Sequence, residues 1–171
     1  MKILMMTGKR HMRRILYISK TDKISSFKEI FEKCTQGYYV EEYKYLGDIN
    51  ELRQYNRANG FDLVVGCFES ADIVLRIYET PKLVIDPIIA GDIWNNDNWD
   101  SEERLSTLAL VCETDKVKEM DGHIKWIYSF PKEYLDSEDD LMKHVVVPYV
   151  SKWFDEIAPQ VNDYFSAGVQ V

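Results

Sequence analysis

DLVVGCFESADIVLRIYETPKLVIDP, which spans residues 62–87, decides the fold of this chain. Two short apolar runs within it, residues 63–65 and 83–85, are rich in β-branched side chains and carry no charge. Continuous runs of this kind are typical of strands that are covered on both faces of a sheet. They therefore predict two central, parallel strands joined by the segment between them.

The joining segment is predicted to be an amphipathic helix. Apolar residues recur at helical spacing from Ile73 to Tyr78, with charged residues between them. Ser70 is of a type that caps the N-termini of helices. Thr80 precedes a proline, and a residue in that position is pushed out of the helical region. We therefore expect a helix that is capped by Ser70 and that ends at Thr80.

The same alternation continues on both sides of this segment. The pattern predicts further strands at residues 14–18, 38–43, 108–112 and 123–128, and helices at 26–34, at 49–58 and from about 137, the last with a kink or break at Pro148. Asp48 is expected to cap the second of these helices, and Asn59-Gly60 to end it. The order indicates an α/β fold with three layers, in which helices cover both faces of a mostly parallel sheet of about six strands. We assign one domain to residues 14–171 and a basic N-terminal extension to residues 1–13.

The charge of the chain is negative and unevenly distributed. The net charge is −8, yet the first 14 residues hold five Lys or Arg and no acid. The remainder then has 16 basic against 29 acidic residues, a net charge of −13. A body this acidic argues against nucleic-acid binding, because phosphate contacts need a basic face. We interpret the basic segment as a solvated terminus, with contact to an anionic partner as the alternative, and Met12 as an alternative start.

Apolar runs and cysteines both indicate a protein of the cytoplasm. No apolar run approaches the roughly 18 residues of a membrane span. MKILMM is too short for the core of a signal peptide, and its basic residues follow it instead of preceding it. Cys34, Cys67 and Cys112 show no disulfide or metal spacing. We therefore predict buried, reduced thiols, with no metal and no cofactor.

Ligand sites in parallel α/β sheets lie at the carboxyl ends of the strands. Ser19 follows the first predicted strand, and Phe68 follows the third. After the fourth strand comes a segment of about 20 residues, a length that is usually functional or ordered by its own packing. It carries Trp94 and Trp99 among asparagines and aspartates. We predict that these four residues bind a ligand at the strand ends, with the alternative that the tryptophans only anchor the segment to the body.

Several motifs of the chain resemble those of the α/β-hydrolase superfamily, and most closely its small bacterial esterase-like members without a lid domain. VVGCFES resembles the G-x-S-x-G elbow after strand three, VIDP resembles the N-P or D-P pair after the next strand, LVCETD resembles the strand that ends in the acid of the triad, and FPKEY resembles the His-x-Phe segment before the closing helix. The resemblance covers about residues 14–155. It implies an α/β-hydrolase-like sheet and, for an active member, hydrolysis of carboxylic esters or thioesters.

Other residue types occupy most of the catalytic positions that the resemblance implies. The position of the nucleophile falls on Phe68, that of the second elbow glycine on Ser70, and that of the base on Lys132. The position of the acid, Asp115, is kept. A triad works only as a unit of nucleophile, base and orienting group. The resemblance therefore implies an eroded catalytic site.

We expect the protein to be a non-catalytic module that binds a small molecule or a protein, and a homodimer is left open. The alternative is a small esterase or thioesterase in which Cys67 or Ser70 is a displaced nucleophile and Asp115 is the acid. A third interpretation is a different doubly wound fold in which the elbow motif is a coincidence. The backbone at Phe68 separates these interpretations, because a positive φ there marks an elbow and a relaxed loop does not.

Overall fold

Six parallel strands form the sheet in the part of the chain that the structure, a computed structural model, describes: residues 12–19, 27–34, 36–89 and 92–166. The strands are β1 (Arg13–Ser19), β2 (Tyr38–Lys44), β3 (Leu63–Cys67), β4 (Lys82–Ile85), β5 (Thr107–Val111) and β6 (Trp126–Ser129). Their order is β2-β1-β3-β4-β5-β6, and each neighbouring pair is parallel. The chain changes direction across the sheet between β1 and β3. The predicted α/β class with a parallel sheet is confirmed.

Helices cover both faces of this sheet. They are α1 (Phe27–Cys34), α2 (Ile49–Asn59), α3 (Glu69–Val74), α4 (Ser101–Leu105), α5 (Thr114–Met120), a 3-10 turn (Lys132–Asp136), and a C-terminal helix made of α6 (Glu138–Leu141), α7 (Val147–Lys152) and α8 (Ala158–Ser166) with π turns between them. One core contains the buried side chains of α1 and the C-terminal helix. The other contains those of α2, α3 and α5. The sheet between the two cores completes three layers.

The alternation of side chains along β3 distributes them between the two cores. Leu63, Val65 and Cys67 belong to the core beneath α1 and the C-terminal helix, whereas Val64 belongs to the opposite core. Successive side chains of a strand point to opposite faces. Because both faces are covered, the whole strand is buried, which is why its sequence is a continuous apolar run.

Helix α2 begins and ends at the predicted residues. The side chain of Asp48 accepts hydrogen bonds from the backbone N–H groups of Asn50 and Glu51, at 3.0 and 3.1 Å. Gly60 ends the helix in the left-handed conformation, with φ at 63°. Both features satisfy backbone groups that a helix terminus leaves without intrahelical partners. The prediction for this helix is confirmed.

The C-terminal helix continues through two prolines. A π turn, Met142–Val146, lies just before Pro148, and a second, Trp153–Ile157, lies just before Pro159. In each turn the residue before the proline donates its N–H to the carbonyl five residues earlier. The wider turn accommodates a ring that would clash with the carbonyl of the preceding turn. The break predicted as one option at Pro148 is therefore wrong.

Helix α3 is much shorter than predicted. It ends at Val74, and Ser70 is its second residue instead of its cap. Phe68 occupies the cap position and makes no capping hydrogen bond with its side chain. Ile77 is nevertheless fully buried, in a turn that follows the helix. The apolar residues from Ile73 onward thus belong partly to a short helix and partly to a packed turn. Periodicity alone does not distinguish this arrangement from one longer helix.

Smaller differences from the prediction concern boundaries and burial. Residues 1–11 of the predicted extension lie outside the described residues, and Arg13 is the first residue of β1. The segment after β4 is not wholly a loop, because it contains α4, which Asp100 caps. The sixth strand begins at Trp126 instead of His123. Of the three cysteines, Cys34 is exposed and Cys112 is half-buried, so the prediction of three buried thiols holds only for Cys67.

Candidate functional site

The carboxyl ends of the central strands form one edge of the sheet. Ile18 is aligned with Gly66, so Ser19 at the end of β1 lies beside Cys67 at the end of β3. Cys67 is aligned in turn with Ile85 at the end of β4. We call this side of the sheet the carboxyl edge. The predicted residues Ser19, Cys67 and Phe68 do lie together there, at the point where the chain changes direction across the sheet.

Phe68 lies at a strained turn between β3 and α3. Its φ is 56° and its ψ is −119°, and its side chain is 40% exposed. Its N–H donates a hydrogen bond of 2.8 Å to the carbonyl of Ile85, which extends the pairing of β3 and β4 by one residue. A bulky residue with positive φ is an outlier, and such strain costs about 1–3 kcal/mol. The surrounding structure therefore holds Phe68 in a conformation that its own side chain disfavours.

Gly66 allows α3 to pack closely against the end of β3. A Cβ atom at this position would lie 2.6 Å from Cγ2 of Val74 and 2.7 Å from the carbonyl oxygen of Ser70. One of these atoms belongs to the backbone and cannot rotate away. Only glycine fits this approach without displacing the helix. The sharp turn at Phe68 depends on this close contact, because it brings the first turn of α3 directly over β3.

Cys67 is positioned as a buried thiol instead of a nucleophile. Its sulfur accepts a hydrogen bond from the hydroxyl of Tyr17 at 3.7 Å. Burial raises the pKa of the Cys67 thiol to about 12, and the hydrogen bond from Tyr17 offsets only part of this rise. Because the thiolate is the reactive form, a thiol with this pKa is inert near neutral pH.

The other predicted catalytic residues do not converge on Phe68. Ser70 is buried within the first turn of α3, with 6% of its surface exposed. Asp115 is exposed in the first turn of α5, and Lys132 is exposed at the start of the 3-10 turn. Among the described residues, no hydrogen bond joins any two of Cys67, Ser70, Asp115 and Lys132. Neither Cys67 nor Ser70 is therefore paired with Asp115 or Lys132.

A polar cluster that the sequence analysis missed lies at the carboxyl edge beyond Phe68. Lys116 Nζ is 2.9 Å from Oδ1 of Asp86, and the Cys112 thiol donates to the same oxygen at 3.7 Å. Asp86 has a positive φ of 50°. Burial, followed by the nearby Asp86 carboxylate, raises the pKa of Cys112. The D-P pair after the fourth strand was a signal for Asp86, but nothing local in the sequence indicated its partners.

Trp94 and Trp99 lie at the opposite edge from the one predicted. Trp99 Nε1 donates to the carbonyl of His123 at 3.1 Å, and its ring lies 5.7 Å from Nζ of Lys82, the first residue of β4. Trp94 stacks on the His123 ring with centroids 4.7 Å apart. Both tryptophans also pack on the core formed with α2 and α3. The predicted position over the carboxyl ends is therefore wrong, and the two rings anchor the segment to the body.

A buried ion pair lies at this amino edge of the sheet, and the sequence analysis missed it. Lys82 is fully buried and its ammonium group contacts the carboxylate of Glu103 in α4. The ammonium also donates to the carbonyl of Thr80 at 2.9 Å, while Glu103 accepts the N–H of Glu79 at 2.9 Å. Burial lowers the pKa of Lys82, and the adjacent Glu103 partly offsets this. The only sign of this ion pair in the sequence was a lysine, Lys82, directly before an apolar run.

A cleft of about 750 Å³ opens beside this pair. Its walls come from the end of α2, from the turn before β4 and from the segment that leads into α4. The volume falls within the range of about 300–1,000 Å³ that is usual for small-molecule sites. A site of this size was not expected at the amino edge, because the rule for parallel sheets points to the opposite edge.

Two classes of feature are absent from the residues that the structure describes. No group of three or more histidine, cysteine, aspartate or glutamate side chains is arranged to hold a metal ion there. No helix within the same residues is both long and apolar enough to cross a membrane. Comparisons of the chain with protein-family models, with curated proteins and with solved structures find no match.

Proposed function

We propose that this protein is an α/β-hydrolase-like module that binds a small molecule or a protein at its carboxyl edge without catalysing hydrolysis. One observation carries the proposal: Phe68 lies at a strained, elbow-like turn at the site where such a fold presents its nucleophile. Phenylalanine has no nucleophilic atom. Its exposed ring instead offers an apolar contact surface at the strand ends.

The backbone at this turn supports the hydrolase-like interpretation over an unrelated doubly wound fold. A relaxed loop would not need a bulky residue with φ at 56°. The contact of Gly66 with α3 is of the kind that the elbow motif requires, a sharp strand-to-helix turn. The strand order, by contrast, starts with β2-β1-β3-β4, as it does in other doubly wound sheets. It therefore does not discriminate between a hydrolase-like fold and an unrelated doubly wound fold.

The surroundings of the candidate nucleophiles support the absence of catalysis. The Cys67 thiol has its pKa raised to about 12 and is covered by the core. Ser70 is buried and has no described base within hydrogen-bond reach. Catalysis by a displaced nucleophile needs one of these two groups to be exposed and paired with a base. The esterase alternative therefore lacks support from the geometry.

Composition and thiols support the remaining parts of the proposal. The net charge of −8 disfavours nucleic acid as the partner. The three cysteines are free, and free thiols persist in the reducing cytoplasm, where we place the protein.

Hydrolysis of a panel of short-chain p-nitrophenyl esters tests the absence of catalysis. The purified protein is expected to release p-nitrophenol no faster than buffer does. Cys67→Ala and Ser70→Ala are the matched variants. Release well above background that either substitution abolishes would refute the proposal in favour of the esterase alternative.

Binding is tested with N-phenylbutanamide, a stable analogue of a short-chain aryl ester. In a titration followed by backbone amide NMR, the signals of Ser19 and of residues 66–70 are expected to shift, and Phe68→Ala is expected to weaken the shifts. Tyr164→Ala is the control, because this aromatic residue is 50% exposed but lies on α8. Equal weakening by both substitutions, or shifts confined to other parts of the chain, would contradict a site at Phe68.

A further inference from the structure

A groove with one acidic wall and one apolar wall lies across the amino ends of four neighbouring strands. It measures about 570 Å³, and the C-terminal helix forms one of its sides. The residues that line it at or directly before the starts of β1, β3, β4 and β5 are Arg13, Asp62, Pro81 and Ser106. We call it the strand-start groove. Because Arg13 is the first residue of β1, the chain that precedes β1 arrives at this groove.

The apolar wall belongs to the C-terminal helix. Trp153 and Val161 are buried in it, whereas Phe165 is 38% exposed. Phe154 is half-buried, and the Arg13 guanidinium lies 4.7 Å from the centroid of its ring. Apolar surface that is rimmed by polar residues is typical of interaction sites. The groove therefore offers an occupant more than charge.

The wall on the side of the sheet is negatively charged. It carries Asp62, Glu79 and Glu102, whereas Arg13 is the only cation among the residues that line the groove. The Arg13 guanidinium lies 3.5 Å from a carboxylate oxygen of Asp155, so part of its charge is already neutralised. Glu79 and Glu102 are exposed and form no ion pair with any described residue. The unpaired charge of the groove is therefore negative.

Residues 1–11, MKILMMTGKRH, have a composition that complements both walls. They lie outside the described residues and are joined to β1 through Met12. Five of the first six residues are large and apolar, and the segment carries Lys2, Lys9 and Arg10 but no acid. It can therefore supply apolar side chains to one wall of the groove and positive charge to the other.

The segment is long enough to reach both walls. Neighbouring strands lie about 4.8 Å apart, so the starts of β4 and β5 lie about 10 and 14 Å from the start of β1. An extended chain advances about 3.3 Å per residue, so the backbone of Arg10 can reach about 10 Å from Arg13, and residues 3–6 can reach beyond 20 Å or so. The basic side chains can therefore reach Glu79 and Glu102, and the apolar residues have length to spare for the opposite wall.

We infer that residues 1–11 of the chain bind in the strand-start groove, with their basic side chains toward Glu79 and Glu102 and their apolar side chains on Phe165. Such binding needs little intrinsic affinity, because a directly attached segment has an effective concentration on the order of millimolar. With a dissociation constant of about 1 mM, the segment would fill the groove for about half of the time or more. It would thereby compete with any other basic, apolar partner of the groove. The inference concerns the amino edge and does not rest on the function proposed for the carboxyl edge.

Limited digestion of the full chain with trypsin, followed by intact-mass spectrometry, tests this inference. Trypsin cleaves after lysine and arginine, and the segment is protected for the fraction of time that it occupies the groove. Glu79→Gln combined with Glu102→Gln should release it and speed cleavage after Lys2 and Lys9 at least about twofold. Both cleavage sites are unchanged in this variant, so only the groove differs from the wild type.

The apolar wall is tested in the same way with two neighbouring aromatic residues of α8. Phe165→Ala should also speed cleavage at least about twofold, because Phe165 lines the groove. Tyr164→Ala should have no effect, since Tyr164 is 50% exposed but does not line the groove. Glu133→Gln with Asp136→Asn removes the same charge as the double variant of the groove, but in the 3-10 turn after β6, and should likewise have no effect.

Two controls within the same digests identify the cause of faster cleavage. Sites in the folded body should be cleaved no faster in a variant than in the wild type, which shows that the variant is folded; if one groove variant is not, the other decides. Cleavage of the wild type should also proceed at a rate constant that is independent of protein concentration. Protection that rises with concentration would place the segment in the groove of a second copy. That result, unchanged cleavage in a folded groove variant, or equal effects of Phe165→Ala and Tyr164→Ala would each overturn the inference.

Discussion

Replacing Lys82 by methionine is expected to destabilise the protein far more than the loss of one surface charge would. Lys82 is fully buried, and its ammonium group contacts Glu103, which is itself buried. Methionine has a similar length but no charge, so Lys82→Met leaves the carboxylate of Glu103 without its partner in a site that excludes water. Removing one member of a buried ion pair typically costs about 3–5 kcal/mol.

The length of the chain allows this loss of free energy of unfolding to be converted into a change in melting temperature. For a chain of 171 residues, each kcal/mol corresponds to about 2–4 °C. Lys82→Met is therefore expected to lower the Tm by about 6–20 °C. The loss is a large part of the 5–15 kcal/mol or so that stabilises a typical domain. Thermal unfolding followed by circular dichroism, together with urea unfolding, measures both quantities.

A second substitution separates the buried charge from simple loss of packing. Glu103→Gln removes the charge but keeps a carbonyl oxygen that can accept the N–H of Glu79. The double variant, Lys82→Met with Glu103→Gln, should therefore recover most of the lost stability, because neutral replacements for a buried pair are often nearly as stable. A single variant within about 1 kcal/mol of the wild type, or a double variant as unstable as the single one, would refute the reasoning.

Three further outcomes are expected from the carboxyl edge. Gly66→Ala should lower the free energy of unfolding by about 1–3 kcal/mol or more, because the new Cβ meets the backbone of Ser70 at 2.7 Å. Adding Val74→Ala should not restore the loss, and full recovery would contradict this account. At position 68 glycine should be more stable than alanine by about 1–2 kcal/mol, since only glycine accepts a φ of 56° without strain. Urea unfolding would show the opposite order if the turn were relaxed. Finally, the Cys67 thiol has its pKa raised from the ordinary value of 9.0 to about 12, so between these values the unfolded chain loses a proton that the folded chain keeps. The free energy of unfolding should then fall as the pH rises above 9, by up to about 1.4 kcal/mol per pH unit more in the wild type than in Cys67→Ala. Parallel pH profiles of the two proteins would show that the thiol is not shielded.

The sequence alone was enough to predict the layers of the fold. Continuous apolar runs such as residues 63–65 occur in this context only where both faces of a strand are covered, so the class of sheet follows from local composition. The caps of α2 are equally local, because Asp48 and Gly60 satisfy backbone groups within a few residues of themselves. Information of this kind needs no knowledge of which segments meet in space.

The sequence was less informative where it is compatible with two different backbone conformations. The apolar spacing from Ile73 onward suits both a longer helix and the observed helix followed by a buried turn at Ile77. Pro148 was expected to kink or break its helix, but the π turn before it keeps the helix continuous. In both cases packing against the sheet selects one of two locally acceptable backbones.

Only the tertiary structure decided the candidate sites. The strain at Phe68 arises because α3 is held against Gly66, a contact between β3 and the helix that follows it. The pairing of Lys82 with Glu103 joins residues that are 21 positions apart in the sequence. Residue type and spacing determine which segments become strands and helices, since these depend on local hydrogen bonds and burial. Which charges and rings face one another depends on how those segments pack, and this the local pattern does not contain.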